Sequence, residues 1–149
     1  MIRQLASLVC CLVLLPAASA DETPRPNIIV IFTDDHGWSD LGRQGIRQDL
    51  RTPHLDALAD GGVRMSSGYV TAPQCVPSRA GLLTGKYQPR FGVESNRSTL
   101  DSFNRQPTIA ERLRAAGYTT GMAGKWHLGP VQEITTHGFD DVYCTQGRP

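Results

Sequence analysis

The first apolar run, Leu8-Val9-Cys10-Cys11-Leu12-Val13-Leu14-Leu15, follows one basic residue, Arg3, and is broken by Pro16. It is too short to span a bilayer, which takes about 20 apolar residues. Ala18-Ser19-Ala20 then supplies the small-residue pattern of a cleavage site. Residues 1–20 therefore read as a cleavable signal peptide, with the mature chain secreted, periplasmic or lumenal and without stable membrane insertion. The second run, Ile28-Ile29-Val30-Ile31-Phe32, is continuous and β-branched, as expected of a strand buried on both faces. It stops at Thr33-Asp34-Asp35-His36-Gly37.

Beyond it the apolar positions recur at helical spacing. Thr52 as N-cap and Pro53 at the first helical position open a helix whose Leu55, Leu58 and Ala59 share one face, and Gly61-Gly62 stops it. Residues 63–70 read as extended. A short helix is predicted over 77–84, starting just after Cys75. Thr108 and Glu111 form a capping box for a helix ending at Gly117, with Ile109, Leu113 and Ala116 facing inward. Residues 118–123 read as a short strand. This alternation of strands and helices predicts an α/β sandwich with a largely parallel sheet.

Composition narrows the function classes only slightly. The 149 residues carry 15 Lys+Arg against 14 Asp+Glu, and with Arg3 set aside the mature chain is neutral. A general nucleic-acid binder needs a basic excess, so no nucleic-acid partner is expected. Of the four cysteines, only Cys75 and Cys144 remain after cleavage, too few for a disulfide-dense scaffold.

Three polar clusters fall at the ends of the predicted elements. Asp34-Asp35 follows the apolar run, where ligands of open α/β sheets sit. Two adjacent carboxylates there suit a hard divalent cation, or a turn in which Asp caps backbone amides. Cys75-Val76-Pro77-Ser78-Arg79 puts a thiol near a helix start, where backbone amides attract an anion and a thiol is reactive, with Arg79 one turn on; the plain alternative is a buried structural cysteine. Lys125 and His127, two apart on an extended segment, would project to one side. His36, His54 and His137 read as turn or helix-surface residues.

Cys75-Val76-Pro77-Ser78-Arg79 resembles the Cys-X-Pro-Ser-Arg signature of type I sulfatases, in the alkaline phosphatase superfamily, and Ala80-Gly81-Leu82-Leu83-Thr84-Gly85-Lys86 resembles its continuation. Pro26-Asn27-Ile28 through Asp34-Asp35 is similar to the family's opening strand and metal-binding acids. Thr52-Pro53-His54-Leu55-Asp56, Gly124-Lys125-Trp126-His127-Leu128-Gly129 and His137-Gly138-Phe139-Asp140 resemble later family segments. The likeness runs from Pro26 to Asp141.

The resemblance implies an alkaline-phosphatase-like sandwich, with a mostly parallel sheet flanked by helices and only its N-terminal part in residues 21–149. It implies a sulfuric ester hydrolase, arylsulfatase-like or carbohydrate sulfatase, acting on a sulfated small molecule or carbohydrate. Cys75 would be converted to formylglycine by a formylglycine-generating enzyme, and its hydrated aldehyde would attack sulfur and later expel sulfate. Asp34, Asp35 and the modified Cys75 would hold one calcium ion; Arg79 would orient the modified side chain, Lys125 hold the sulfate group and His127 assist proton transfer. The family's remaining metal and catalytic residues have no counterparts here, and Gln146-Gly147-Arg148-Pro149 reads as an interruption within a domain. The isolated chain is therefore expected to bind calcium weakly and to turn over little or no sulfate ester.

A phosphate or phosphonate ester hydrolase of the same superfamily shares the nucleophile motif. A non-catalytic secreted binding fragment is the alternative of a different class. Asn96-Arg97-Ser98 matches an N-glycosylation acceptor.

Overall fold

The computed structural model describes residues 24–145, the side chains of Cys144 and Thr145 excepted. The signal-peptide reading of residues 1–20 lies outside the described residues. The chain divides into two units, Met1–Thr33 and Asp34–Pro149.

In the first unit, residues 24–33 have no regular secondary structure, and Ile29 is 84% exposed. This corrects the predicted strand over 28–32. The composition of a doubly covered strand is there, but a strand also needs a hydrogen-bonded neighbour. Among the described residues the only ladder is the two-stranded one of the second unit.

The second unit holds α1 (Pro53–Gly61), α2 (Cys75–Thr84), α3 (Ile109–Ala115), β1 (Gly121–Lys125) and β2 (Asp141–Thr145), with 3-10 turns between them. Thr52 is the N-cap of α1 as predicted, with Pro53 next to it, but its hydroxyl serves another contact. Its Oγ1 accepts from the Gly42 N–H at 2.8 Å and donates to Asp56 at 3.0 Å. That ties α1 to the 3-10 turn Gly42–Gln44. The expected apolar face of α1 is not buried: Leu58 is 67% exposed. Residues 63–70 are exposed and irregular with a turn at 66–67, not extended as a strand.

Helix α2 is enclosed on most sides, with Val76, Pro77, Ser78, Arg79, Ala80, Gly81 and Thr84 buried. It begins two residues before the predicted start, so Cys75 is its first residue. Gly81 is required by a close approach, since a Cβ there would lie 2.9 Å from Gln88 Oε1 and closer still to the Thr71 hydroxyl. Gly85 ends the helix in the left-handed region at φ 65, its N–H bonded to the Gly81 carbonyl.

The capping box of α3 forms as predicted. Glu111 N–H donates to Thr108 Oγ1 at 3.1 Å, and Thr108 N–H donates to Glu111 Oε2 at 2.7 Å. The inward face is turned from the expected one: Ala110 is buried while Ile109 and Ala116 are exposed. The predicted strand over 118–123 is realised slightly later as β1, which pairs in parallel with β2 from Gly121↔Asp141 to Lys125↔Thr145. Helices with a parallel pair give the expected α/β fold.

The core comprises Val76, Ala80, Val93, Phe103, Ala110, Trp126, Leu128, Ile134 and Phe139. The α2 start and the β1 end therefore stand on one packed base. His137 corrects its own reading as a surface or turn residue. It is 4% exposed, with its ring centroid 5.0 Å from Phe103 and 5.4 Å from Trp126.

Candidate active site

Cys75 and Arg79 lie four residues apart on α2, so both project from one face of the helix. Lys125 is the last residue of β1, where the strand delivers it to the same place. All three meet at Asp34. Arg79 Nη2 donates to Asp34 Oδ1 at 3.2 Å, and Lys125 Nζ donates to Asp34 Oδ2 at 2.7 Å. The other Arg79 terminus, Nη1, donates to the Lys125 carbonyl at 2.7 Å. Arg79 thus locks the end of β1 to the carboxylate, using the fixed fork of its guanidinium.

The Cys75 thiol sits inside this arrangement. Its Sγ lies 3.4 Å from Lys125 Nζ and 3.7 Å from Asp34 Oδ1. Side-chain exposure grades from 11% for Arg79 through 23% for Lys125 to 39% for Asp34. Arg79 is therefore a buried brace, and the other two groups line a mouth that a solute can reach. The hydrogen bond from Lys125 is the main cause holding the Asp34 carboxyl below the ordinary carboxylate range; partial desolvation opposes it and Arg79 adds to it. Reciprocally, Asp34 is the main cause raising the Lys125 ammonium above its usual value, with Cys75 contributing. Both groups are charged at neutral pH, so two cations, Lys125 and Arg79, bracket the Asp34 carboxylate.

Asp35 joins the cluster through its backbone. Neighbouring side chains on extended chain point to opposite faces, but Asp35 has φ 50, in the left-handed region that Asp tolerates better than most residues. Ligand atoms of Asp34, Asp35 and Cys75 all lie within 4.8 Å of one another. Two carboxylates with free lone pairs are hard oxygen donors and fit calcium or magnesium better than a soft metal. The set fits one side of such a site.

His127 is placed differently from the expectation. Lys125 ends the strand and His127 has φ 56, so the two-residue alternation does not extend to it. Its side chain is exposed. His36 makes a local turn contact, its Nε2 3.1 Å from the Asp40 carbonyl oxygen. His54 is exposed in the first turn of α1.

One feature beside Cys75 escaped the sequence reading. The Val76 N–H donates to Asn96 Oδ1 at 3.0 Å, and the Asn96 N–H donates to Gln74 Oε1 at 2.8 Å. The only sequence signal at Asn96 is the glycosylation triplet, which says nothing about capping.

Residues 26–147 match the profile of the Sulfatase family. The chain is 48% identical to human Arylsulfatase A over 124 residues, covering 79% of this chain and 24% of that protein. It is 42% identical to Steryl-sulfatase of Rattus norvegicus over 134 residues, covering 78% and 23%. Against N-acetylgalactosamine-6-O-sulfatase of Bacteroides thetaiotaomicron it is 43% identical over 114 residues, covering 74% and 22%. The crystal structure of Ps i-CgsB superposes with a TM-score of 0.76 at 37% identity, over 84% of this chain and 29% of that one. The chain thus spans about a quarter of the length of the curated relatives it matches.

Proposed function

Because the chain belongs to the sulfatase family, we propose that it is the N-terminal part of a catalytic domain that hydrolyses sulfate esters, with position 75 as its nucleophile. The observation that carries the reading is the meeting of Cys75 Sγ, Lys125 Nζ and Arg79 on the single carboxylate of Asp34. A sulfate ester presents anionic oxygens to any attacking group. A nucleophile for it needs fixed positive charge alongside, already desolvated and oriented.

Lys125 supplies that charge. Its ammonium is a compact donor with three protons, of which Asp34 and Cys75 engage two. The remaining proton is available to a sulfuryl oxygen. Arg79 positions rather than reacts: its two bonds fix the spacing between Lys125 and Asp34. His127, exposed just beyond β1, is the residue we assign to assisting the proton transfer.

Two absent groups complete the proposal. Conversion of Cys75 to formylglycine and addition of water to its aldehyde would supply a geminal diol, one hydroxyl to attack sulfur and one whose deprotonation would release sulfate without a second attack by water. Asp34, Asp35 and position 75 would hold calcium, whose charge offsets that of the sulfuryl oxygens. In this reading a formylglycine-generating enzyme is the maturation partner, residues 1–20 direct export, and the substrate is a sulfated small molecule or carbohydrate.

The test is turnover of aryl and carbohydrate sulfates by the protein of the complete reading frame, beside the Cys75→Ala variant. Loss of a covalent nucleophile lowers kcat by roughly a thousandfold or more. A Cys75→Ala protein that keeps its turnover overturns the assignment, as does faster cleavage of phosphonate than of sulfate esters by the wild type.

A further inference from the structure

The turn that carries Cys75 has an unusual support. The first N–H groups of any helix lack an intrahelical acceptor and are normally satisfied by the N-cap side chain. In α2 the N-cap is Gln74, which makes no such bond. Its Oε1 accepts instead from the backbone N–H of Asn96 at 2.8 Å, while Asn96 Oδ1 accepts from the N–H of Val76 at 3.0 Å. Asn96, remote in sequence, therefore grips the residues on both sides of Cys75.

The platform under Asn96 is itself fixed. Ser98 Oγ accepts from the N–H groups of both Glu94 and Ser95, each at 3.0 Å, and the Ser98 N–H donates to the Ser95 carbonyl at 3.1 Å. The loop is rooted by Val93, which is fully buried and bonded through its N–H to the Gln88 carbonyl. A cap set on a loop this constrained transmits position, because neither partner can follow a shift of the other.

We propose that Asn96 is a positioning residue for Cys75: it caps α2 from outside the helix and so sets the distance between position 75 and the Lys125 ammonium. This rests on the sulfatase reading for its kinetic consequence, but not for its structural one. A misplacement of about 1 Å costs as much as a hundredfold in rate. Loss of one cap, with Gln74 and the helix still in place, is set at roughly five- to tenfold in kcat on that scale.

Amide hydrogen exchange of the protein of the complete reading frame tests the contact without any assay of activity. The Val76 amide should exchange at least about tenfold faster in Asn96→Ala than in wild type, with the Val93 amide unchanged as internal reference. Asn96→Asp retains an acceptor and should restore protection. An unchanged Val76 rate in Asn96→Ala overturns the clasp. If that variant loses protection at both amides, Asn96→Asp decides: an unprotected Val76 amide there also overturns it.

The positioning role is read in the protein of the complete reading frame, at equal formylglycine content. Asn96→Ala should lower kcat with KM nearly constant. Asn96→Asp should recover kcat but raise KM for the anionic ester, because it adds a negative charge beside the site. Wild-type kcat in Asn96→Ala overturns the role. Failure of the sulfatase reading shows elsewhere, as retained turnover in Cys75→Ala, and leaves the exchange result standing.

Discussion

His137 is buried with its ring against Phe103 and Trp126 and its backbone carbonyl accepting from Thr108 Oγ1 at 2.7 Å. Burial is the main cause that pushes its imidazole below the ordinary 6.5, and the carboxylates of Glu111 and Glu133 offset only part of it. A base whose pKa is lowered on folding binds fewer protons in the native than in the unfolded state. Its contribution to stability is thus complete above pH 6.5 and is lost as pH falls from there toward the folded value. Unfolding free energy measured by urea titration should therefore decline between about pH 7 and 5 in the wild type. His137→Phe keeps a ring of similar size with no proton to bind, and its profile over that window should be flatter. Equal slopes for the two proteins would show that burial of His137 does not govern acid stability. A lone His in a Gly-Phe-Asp sequence gives no hint of such burial, because its two ring partners, Phe103 and Trp126, come from other segments of the chain.

Segment 137–140 is also where elements are joined. Gly138 has φ 92, and a Cβ there would lie 2.7 Å from the Glu111 Cα, against the backbone that opens α3. Its carbonyl accepts from Thr120 Oγ1 just before β1, and Asp140 Oδ2 accepts from the Thr120 N–H at 2.9 Å. Gly138→Ala meets both a forbidden φ and a backbone clash, so it should cost about 3 kcal/mol or more, beyond the usual range for a surface glycine. Thermal unfolding followed by circular dichroism checks this, and a loss under about 1 kcal/mol would mean that the loop relaxes freely. Such elements were legible where the signal is local. Thr108 and Glu111 announce their capping box, Pro53 its helix start and Gly61-Gly62 its end, because each acts within one turn of chain. What was illegible depended on partners: whether 28–32 finds a neighbouring strand, and which face of α3 the core accepts. The left-handed φ of His127 is hidden for a related reason, since the sequence around Lys125 continues the strand pattern that the backbone abandons.

At the scale of the molecule, the site is an assembly of residues 34, 75, 79 and 125, drawn together by the bonds of Arg79 and Lys125 to Asp34 and of Arg79 to the Lys125 carbonyl. The motif residues were readable because their chemistry is concentrated in short strings, whereas their mutual distances exist only in the fold. That geometry also limits the metal. Calcium takes six to eight oxygen ligands, and Asp34, Asp35 and position 75 are the one candidate group among the described residues. Both Asp34 oxygens already accept from cations, Oδ1 from Arg79 and Oδ2 from Lys125. An incoming ion must share the carboxylate with these donors, and Asp35 is the oxygen donor it meets without that competition. So few donors, one of them a shared carboxylate, should give the 149-residue chain a calcium Kd in the roughly millimolar range typical of sparse sites. Titration calorimetry at low ionic strength measures it. Asp35→Asn should abolish detectable heat, while Lys125→Met should tighten binding by removing the rival charge. Micromolar affinity in the unaltered chain would instead mean that these residues already form a complete cage, and the shared-carboxylate account would fail.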